Sequence, residues 1–251
     1  MRMYLPKPLK GWRAFTGEVG VIVLGVLIAL GAGQLVQKWQ WQQQVKQAEF
    51  AFKIELETAV MNAYVRLATE PCLTQRLTEI ETKLNQSGES WRGMPERINF
   101  PVADLAAAYH TYLPAPPIST NAWNSALANG IVNQFPTIRA SFFAEAFDAA
   151  TRFRDDRREE GMMVTQLAPL ATDRKLTSDN RITMLQAVRR LQHLDDMIRD
   201  DSEAIIFTVK QTGIGYNDDS IRSTSASLIT IAGTVRGQCV TEPKILPGPP
   251  S

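Results

Sequence analysis

The chain has 251 residues and a formal charge of +1, from 27 Lys and Arg against 26 Asp and Glu. That near balance argues against a nucleic-acid binder, which would carry a strong basic excess, so no nucleic-acid partner is expected. Charged residues make up 21% of the chain, as in an ordinary globular protein, and its length allows one domain with a real core, or two small ones, beyond an apolar N-terminal stretch.

The first element is GEVGVIVLGVLIALGAGQLVQKWQW, Gly17 to Trp41. From Val19 to Gln37 it holds no charged side chain, and at 1.5 Å per residue that run makes a helix of roughly 28 Å, about the hydrocarbon thickness of a bilayer. A buried helix of a soluble domain keeps a polar stripe, whereas here Val21, Ile22, Val23, Leu24, Val26, Leu27, Ile28 and Leu30 point in every direction. The pattern predicts a transmembrane helix over 17–38.

The competing reading is a cleaved secretory signal, with Arg2, Lys7, Lys10 and Arg13 as its basic leader and Gly31 to Gly33 as small residues before a cleavage site. Against it, the apolar run is longer than a signal core, lacks an Ala-x-Ala ending and continues directly into a polar helix. The four basic residues of the leader, against Glu18 alone, put the N-terminus (1–16) in the cytoplasm and everything after Lys38 in the periplasm. Trp39 and Trp41 then fall at the outer interface, and Trp12 at the inner one, where indole rings prefer to sit. Glu18 lies at the inner mouth, within reach of the headgroup layer. Gly25, Ala29 and Gly33 recur every four residues on one face, a spacing that lets membrane helices approach closely.

This N-terminal stretch, in which an acidic residue precedes a V-I-V-L-G-V-L-I-A-L-type helix and then a tryptophan-bearing amphipathic helix, resembles the signature of an uncharacterised family of bacterial single-span inner-membrane proteins. The resemblance covers about the first fifth of the chain. It implies an inner-membrane location and carries no active residues with it.

Beyond the span, Trp41, Val45, Ala48, Phe52, Leu56, Ala59, Ala63 and Leu67 recur mostly at steps of three and four, an apolar seam of the kind that packs in bundles and coiled coils. Pro71 predicts an end to this helix near Thr69 and the start of a second, in which Leu73, Leu77, Ile80 and Leu84 share a face. A helical hairpin follows from that reading. The segment SGESWRGMPERINFP reads as a loop, and short helices are expected at Val102 to Tyr112 and Thr120 to Asn133. A longer helix carries Ile138, Phe142, Ala146, Ala149 and Phe153 on one side. Another begins at Ser178, with Met184, Val188, Leu191, Leu194, Ile198, Ile205 and Val209 at helical spacing. After Gly213 the chain is rich in turn residues, SLITIAGTV reads as a short strand or helix, and the end reads as a disordered tail.

The two cysteines, Cys72 and Cys239, both fall in the segment placed outside the cytoplasm, where an oxidising environment favours a disulfide between them. Such a bridge would tie the C-terminal region to the start of the second helix.

Little in the sequence points to chemistry. His110 and His193 each lack a second histidine at ligand spacing, so no metal site is expected. Asp155, Asp156, Glu159 and Glu160, and again Asp195, Asp196, Asp200, Asp201 and Glu203, are interleaved with Arg154, Arg157, Arg158 and Arg199, which predicts solvated, salt-bridged helix faces. The triplet Ser178–Asn180 is one element of serine penicillin-recognising enzymes, but S-x-x-K and K-T-G are absent and Ser178 reads as a helix cap. Trp91, Trp123, Tyr109, Tyr112, Phe142 and Phe143 read as core rather than as a ligand pocket.

The expectation is therefore an all-α protein: a leader over 1–16, a transmembrane helix over 17–38 continuing into a long amphipathic helix, a periplasmic bundle over 39–215 and an irregular segment over 216–251. Neither catalytic residues nor cofactor are expected. The functional class that fits is a non-enzymatic interaction or scaffold protein, with the bilayer, a second copy or another envelope protein as partner. The alternatives are a ligand-sensing module acting through a membrane partner and a secreted helical protein.

Overall fold

A chain built from long stretches of Ala, Leu, Gln, Glu and Arg with few internal breakers favours helices whose apolar stripes need one another. The computed structural model describes residues 11–94, 117–214 and 239–241, with positions 223, 226, 227 and 230, and side chains from Thr16 onward except that of Glu18. Over these residues the fold is all-α, and the chain divides into two compact units, 1–47 and 48–251. The helix expected at 102–112, with Tyr109, Tyr112 and His110, lies outside the described residues, as do most of 215–238 and the last ten.

Helix α1 spans Gly11–Gln86. In the first unit its side chains from Val19 to Gln40 are all exposed, with Val21 at 73%, Leu24 at 59% and Leu30 at 60%. Among the described residues this is the one helix long and apolar enough to cross a membrane, consistent with a single-pass anchor.

In the second unit α1 supplies a stripe that includes Phe52, Leu56, Ala59, Ala63, Leu73, Leu77, Ile80 and Leu84, all buried. The expected break near Thr69 is not there, because Pro71 lies inside the helix. Proline removes one N–H, which would have met the Leu67 carbonyl, and costs about 3 kcal/mol in a helix interior. Tertiary contacts on both sides of Pro71 offset that cost, since the stripe is buried before and after it. One side chain and one strand of backbone also bond the turns beside it. The Thr69 hydroxyl donates to the carbonyls of Val65 at 3.0 Å and Arg66 at 3.1 Å, and the Thr241 N–H donates to the Ala68 carbonyl at 3.0 Å. The hairpin is thus replaced by a single helix through the proline.

After α1 come a two-residue strand β1 (Ser90–Trp91), helix α2 (Asn121–Ala128), a 3-10 turn (Ile131–Gln134), helix α3 (Thr137–Gln166), a second 3-10 turn (Ala168–Ala171), a short strand β2 (Arg174–Lys175) and helix α4 (Ser178–Gln211). The helix expected over 120–133 is thus split at Gly130. Strand β1, inside the segment that reads as a loop, pairs antiparallel with β2, with Trp91 opposite Arg174. Gly93 makes that closure possible: a Cβ there would lie 2.7 Å from the Ala171 carbonyl oxygen. The cap of α4 is Thr177 rather than Ser178, its hydroxyl accepting from the Asn180 N–H at 3.3 Å. Helix α4 ends before Gly213, whose φ of +66° is left-handed.

Helices α3 and α4 pack on each other and on α1. The stripe of α4 is buried as its spacing predicts, while that of α3 begins at Phe143 and Phe147, not at Ile138, which is 65% exposed, or Phe142, which is partly exposed. Two apolar clusters result. At one end Phe52 meets Trp123, Phe135, Phe143 and Phe147 with ring centroids 5.2 to 6.1 Å apart. At the other, Leu77, Ile80, Leu84, Trp91, Leu170 and Val188 form an aliphatic core, with the Trp91 indole N–H donating to the Leu170 carbonyl at 2.8 Å.

Candidate functional site: a guanidinium shared by three helices

Between the two apolar clusters lies a set of charges largely withdrawn from water. Arg66 of α1 is 1% exposed, Glu160 of α3 is 3% and Asp195 of α4 is 5%. One nitrogen of the Arg66 guanidinium bonds a Glu160 oxygen at 3.0 Å and another bonds Asp195 Oδ1. The Thr74 hydroxyl donates to Asp195 Oδ2 at 2.8 Å, and Arg157 Nε lies 3.6 Å from the second oxygen of Glu160. Two guanidinium groups thus face two carboxylates, and the formal charges cancel.

Local sequence explains the geometry. Asp195 continues the α4 seam between Leu191 and Ile198, and Glu160 continues the α3 seam between Phe153 and Val164, so helical periodicity carries both carboxylates inward. On the face of Arg66, Ala59 and Ala63 are both buried, and their short side chains leave room for a long one. A second set of ion pairs borders the first. Arg199 lies 3.2 Å from Glu70, 3.0 Å from Asp196 and 3.5 Å from Asp200, while Arg152 reaches Asp201 at 3.0 Å and Arg190 reaches Glu159 at 2.6 Å.

Burial pushes the Asp195 carboxyl above its ordinary value, against the pull of Arg66 and the Thr74 hydroxyl and with help from Glu160 and Glu70. Asp156 is also raised, by burial and then by the neighbouring charges of Asp201 and Glu159. Burial likewise raises Asp201, although Arg152 opposes it. The two acidic runs are therefore only in part the solvated faces their composition suggests: Glu160, Asp195 and Asp201 are interior.

Chemically this arrangement is a clamp. A guanidinium stays protonated at any pH the fold survives, and both carboxylates are engaged. A one-turn slip of any of the three helices would strand a buried charge, at a cost of about 3–5 kcal/mol, so the cluster fixes their register. Arg139 does similar work at the aromatic end, pairing with Glu49, donating to the Thr212 carbonyl at 3.2 Å and lying 5.5 Å from the centre of the Phe143 ring. Beside Pro71 the surface carries a groove of about 500 Å³ lined by Glu70, Pro71, Thr74, Gln75 and Thr78.

Cys72 and Cys239 are joined, with Cα atoms 5.0 Å apart. Gly25, Ala29 and Gly33 lie exposed on α1, and a Cβ at either glycine would meet nothing within 4 Å. Trp39 is exposed and Trp41 partly so, while the side chains of Trp12 and Glu18 lie outside the described residues. His193 is exposed. Of the aromatic residues read as core, Trp91, Trp123 and Phe143 are buried. Among the described residues no group of three or more His, Cys, Asp or Glu side chains is placed to hold a metal ion. Sequence reasoning missed Arg66. The available signals were two charged residues at seam positions, Arg66 of α1, three residues after Ala63, and Asp195 of α4, each of which needs a buried partner from another element.

Comparison with models of protein families, with curated proteins and with solved structures finds no match in any of the three.

Proposed function

We propose that the chain is a single-span protein of the bacterial inner membrane, N-terminus in the cytoplasm and helical domain in the periplasm, serving as a non-enzymatic interaction or scaffold protein. Its partner is a second copy or another envelope protein, and the N-terminal resemblance to a family of single-span inner-membrane proteins supports the location. The observation that carries the reading is the Cys72–Cys239 disulfide, located after the apolar stretch, because such bonds persist in oxidising compartments and are rare in a reducing cytosol. The basic leader before the span and the exposed apolar surface of Val19 to Val36 support it. A domain whose buried Arg66, Glu160, Asp195 and Asp201 are paired across helices is built for a fixed shape, which suits binding better than acid–base chemistry.

Carbonate washing of membranes, followed by alkylation of intact cells with and without permeabilisation, tests the location. The intact chain should stay in the pellet and its cysteines should be protected from alkylation as a disulfide. Release of a shortened chain into the wash would favour the secreted alternative. In-cell cross-linking followed by light scattering of the solubilised protein tests the interaction reading, which fails if only a monomer without partners is recovered.

A ligand-sensing role is the second reading, and the groove at Pro71 is what favours it. Its Glu70 and Thr74 bond directly to Arg199 and Asp195, so an occupant there would touch the register-setting cluster. Reproducible thermal stabilisation by one class of small metabolite, lost in Glu70→Ala, would support this second reading over the first.

A further inference from the structure

Three contacts fasten residues 239–241 to one short length of α1. Cys239 is bonded to Cys72, Val240 packs with Met61 against Val65, and the Thr241 N–H donates to the Ala68 carbonyl at 3.0 Å. Met61, Val65, Ala68 and Cys72 follow one another at helical steps of four, three and four, so they form a single stripe. Pro71 lies within that stretch, where α1 loses a hydrogen bond of its own ladder. On the opposite side of the same turns Arg66, Glu70 and Thr74 carry the bonds to Glu160, Arg199 and Asp195. The C-terminal segment and the ion-pair cluster thus hold the same turns of α1.

The two halves of the disulfide are unequally shielded. Cys72 is buried at 9% exposure, whereas Cys239 is partly in solvent, so an incoming thiolate meets Cys239 first. We infer that the Cys72–Cys239 bond is a thiol–disulfide exchange site, a latch that a dithiol reductant opens to release residues 239–241 from α1. One thiolate of the dithiol bonds the Cys239 sulfur as the Cys72–Cys239 bond breaks, and Cys72 leaves as a thiolate that takes a proton from water. The second thiolate of the dithiol then attacks the reductant's own sulfur in the mixed disulfide, closing the reductant's disulfide and expelling Cys239 as a thiolate. Two electrons pass from the dithiol to the cysteine pair. In the open form Met61 and Val65 are uncovered, and the Ala68 carbonyl loses the donor from Thr241 next to the proline.

The test uses the full chain in detergent micelles, treated with dithiothreitol without denaturant. Thiol alkylation followed by mass spectrometry counts reduced cysteines, circular dichroism follows helix content, and amide hydrogen exchange follows local opening. Both cysteines should become alkylated with helix content retained, and exchange should rise by about tenfold in peptides covering 61–75 and 239–241 while 184–191 stays as before. Cys239→Ser should show the raised exchange without reductant and no response to it. The inference is overturned if the bond resists dithiothreitol until denaturant is added, if reduction leaves exchange at 61–75 unchanged, or if helix content collapses in both the reduced protein and Cys239→Ser.

Discussion

Phe52 and Arg66 lie about four turns apart on one helix and are equally hidden from water, at 0% and 1% exposure, but by unlike means. Phe52 is surrounded by Trp123, Phe135, Phe143 and Phe147, and any apolar group of similar volume would satisfy that environment. Arg66 is surrounded by Glu160 and Asp195, and only a cation with donors in two directions will do. The first site is held by area and tolerates approximation; the second is held by pairing and does not. One fastens α1 to the bundle, and the other decides in which register it is fastened.

The largest effect is expected where area alone is lost. Phe52→Ala removes the ring at the centre of the aromatic cluster and should lower stability by about 4 kcal/mol, read from the denaturation midpoint of the full chain in micelles. A loss below about 1 kcal/mol would mean that the cluster closes around the gap and that α1 is held elsewhere.

The next effect separates pairing from area. Arg66→Met keeps most of the volume but leaves Glu160 and Asp195 buried without their shared cation, at a cost of about 3 kcal/mol. Adding Glu160→Gln and Asp195→Asn to that change should bring stability back to within about 1 kcal/mol of the unaltered protein, since the stranded charges are then gone. No second substitution of that kind rescues Phe52→Ala. If the triple variant is no better than Arg66→Met, the guanidinium is acting by filling space and the contrast between the two sites dissolves.

The same contrast explains what could be read in advance. Apolar periodicity is a sum over many residues, so the stripes of α1 and α4 and the all-α class were legible, and the count and position of two cysteines beyond the apolar stretch made their pairing legible too. Pairing of charges is a matter of single partners. Arg66 falls on the α1 seam itself, three residues after Ala63 and seven before Leu73, but its partners are 94 and 129 positions away in the chain (160 minus 66, 195 minus 66), so nothing local names them. Asp195 occupies a seam position of α4, and reading it by composition as part of a solvated acidic face hid the cluster. Pro71 misled for a related reason: its local cost is certain, whereas the burial on both flanks that outweighs it belongs to the folded state alone. Only the start of the α3 stripe was misplaced: Ala146, Ala149 and Phe153 are buried as their spacing predicts, but Ile138 and Phe142 satisfy the same spacing as Phe143 and Phe147, and only the aromatic partners choose between them.

The smallest effect has the sharpest signature. Asp195→Asn keeps an oxygen that can accept from Arg66, while its NH2 can donate to a Thr74 hydroxyl turned to accept, so at neutral pH it should change stability by less than about 1 kcal/mol. Its pH dependence is where the two proteins part. Burial holds the Asp195 carboxyl above its ordinary value in the folded state, despite Arg66, so the folded protein binds that proton more tightly than the unfolded chain does. Stability from this group is therefore fully present below the unfolded value and lost as pH rises through the higher folded one. The unaltered protein should gain on Asp195→Asn as pH is lowered from neutral toward the ordinary carboxylate range. Glu79 runs the other way, since hydrogen bonds from Lys83 and Arg76 overcome its burial and lower it, and Asp156 and Asp201 add to the trend. All three are common to both proteins, so the difference between their melting temperatures across pH isolates Asp195. A difference that stays flat, or that moves against the unaltered protein in acid, would show that Arg66 outweighs burial at this carboxylate, and the cluster would then be a net source of stability at neutral pH, not only a setter of register.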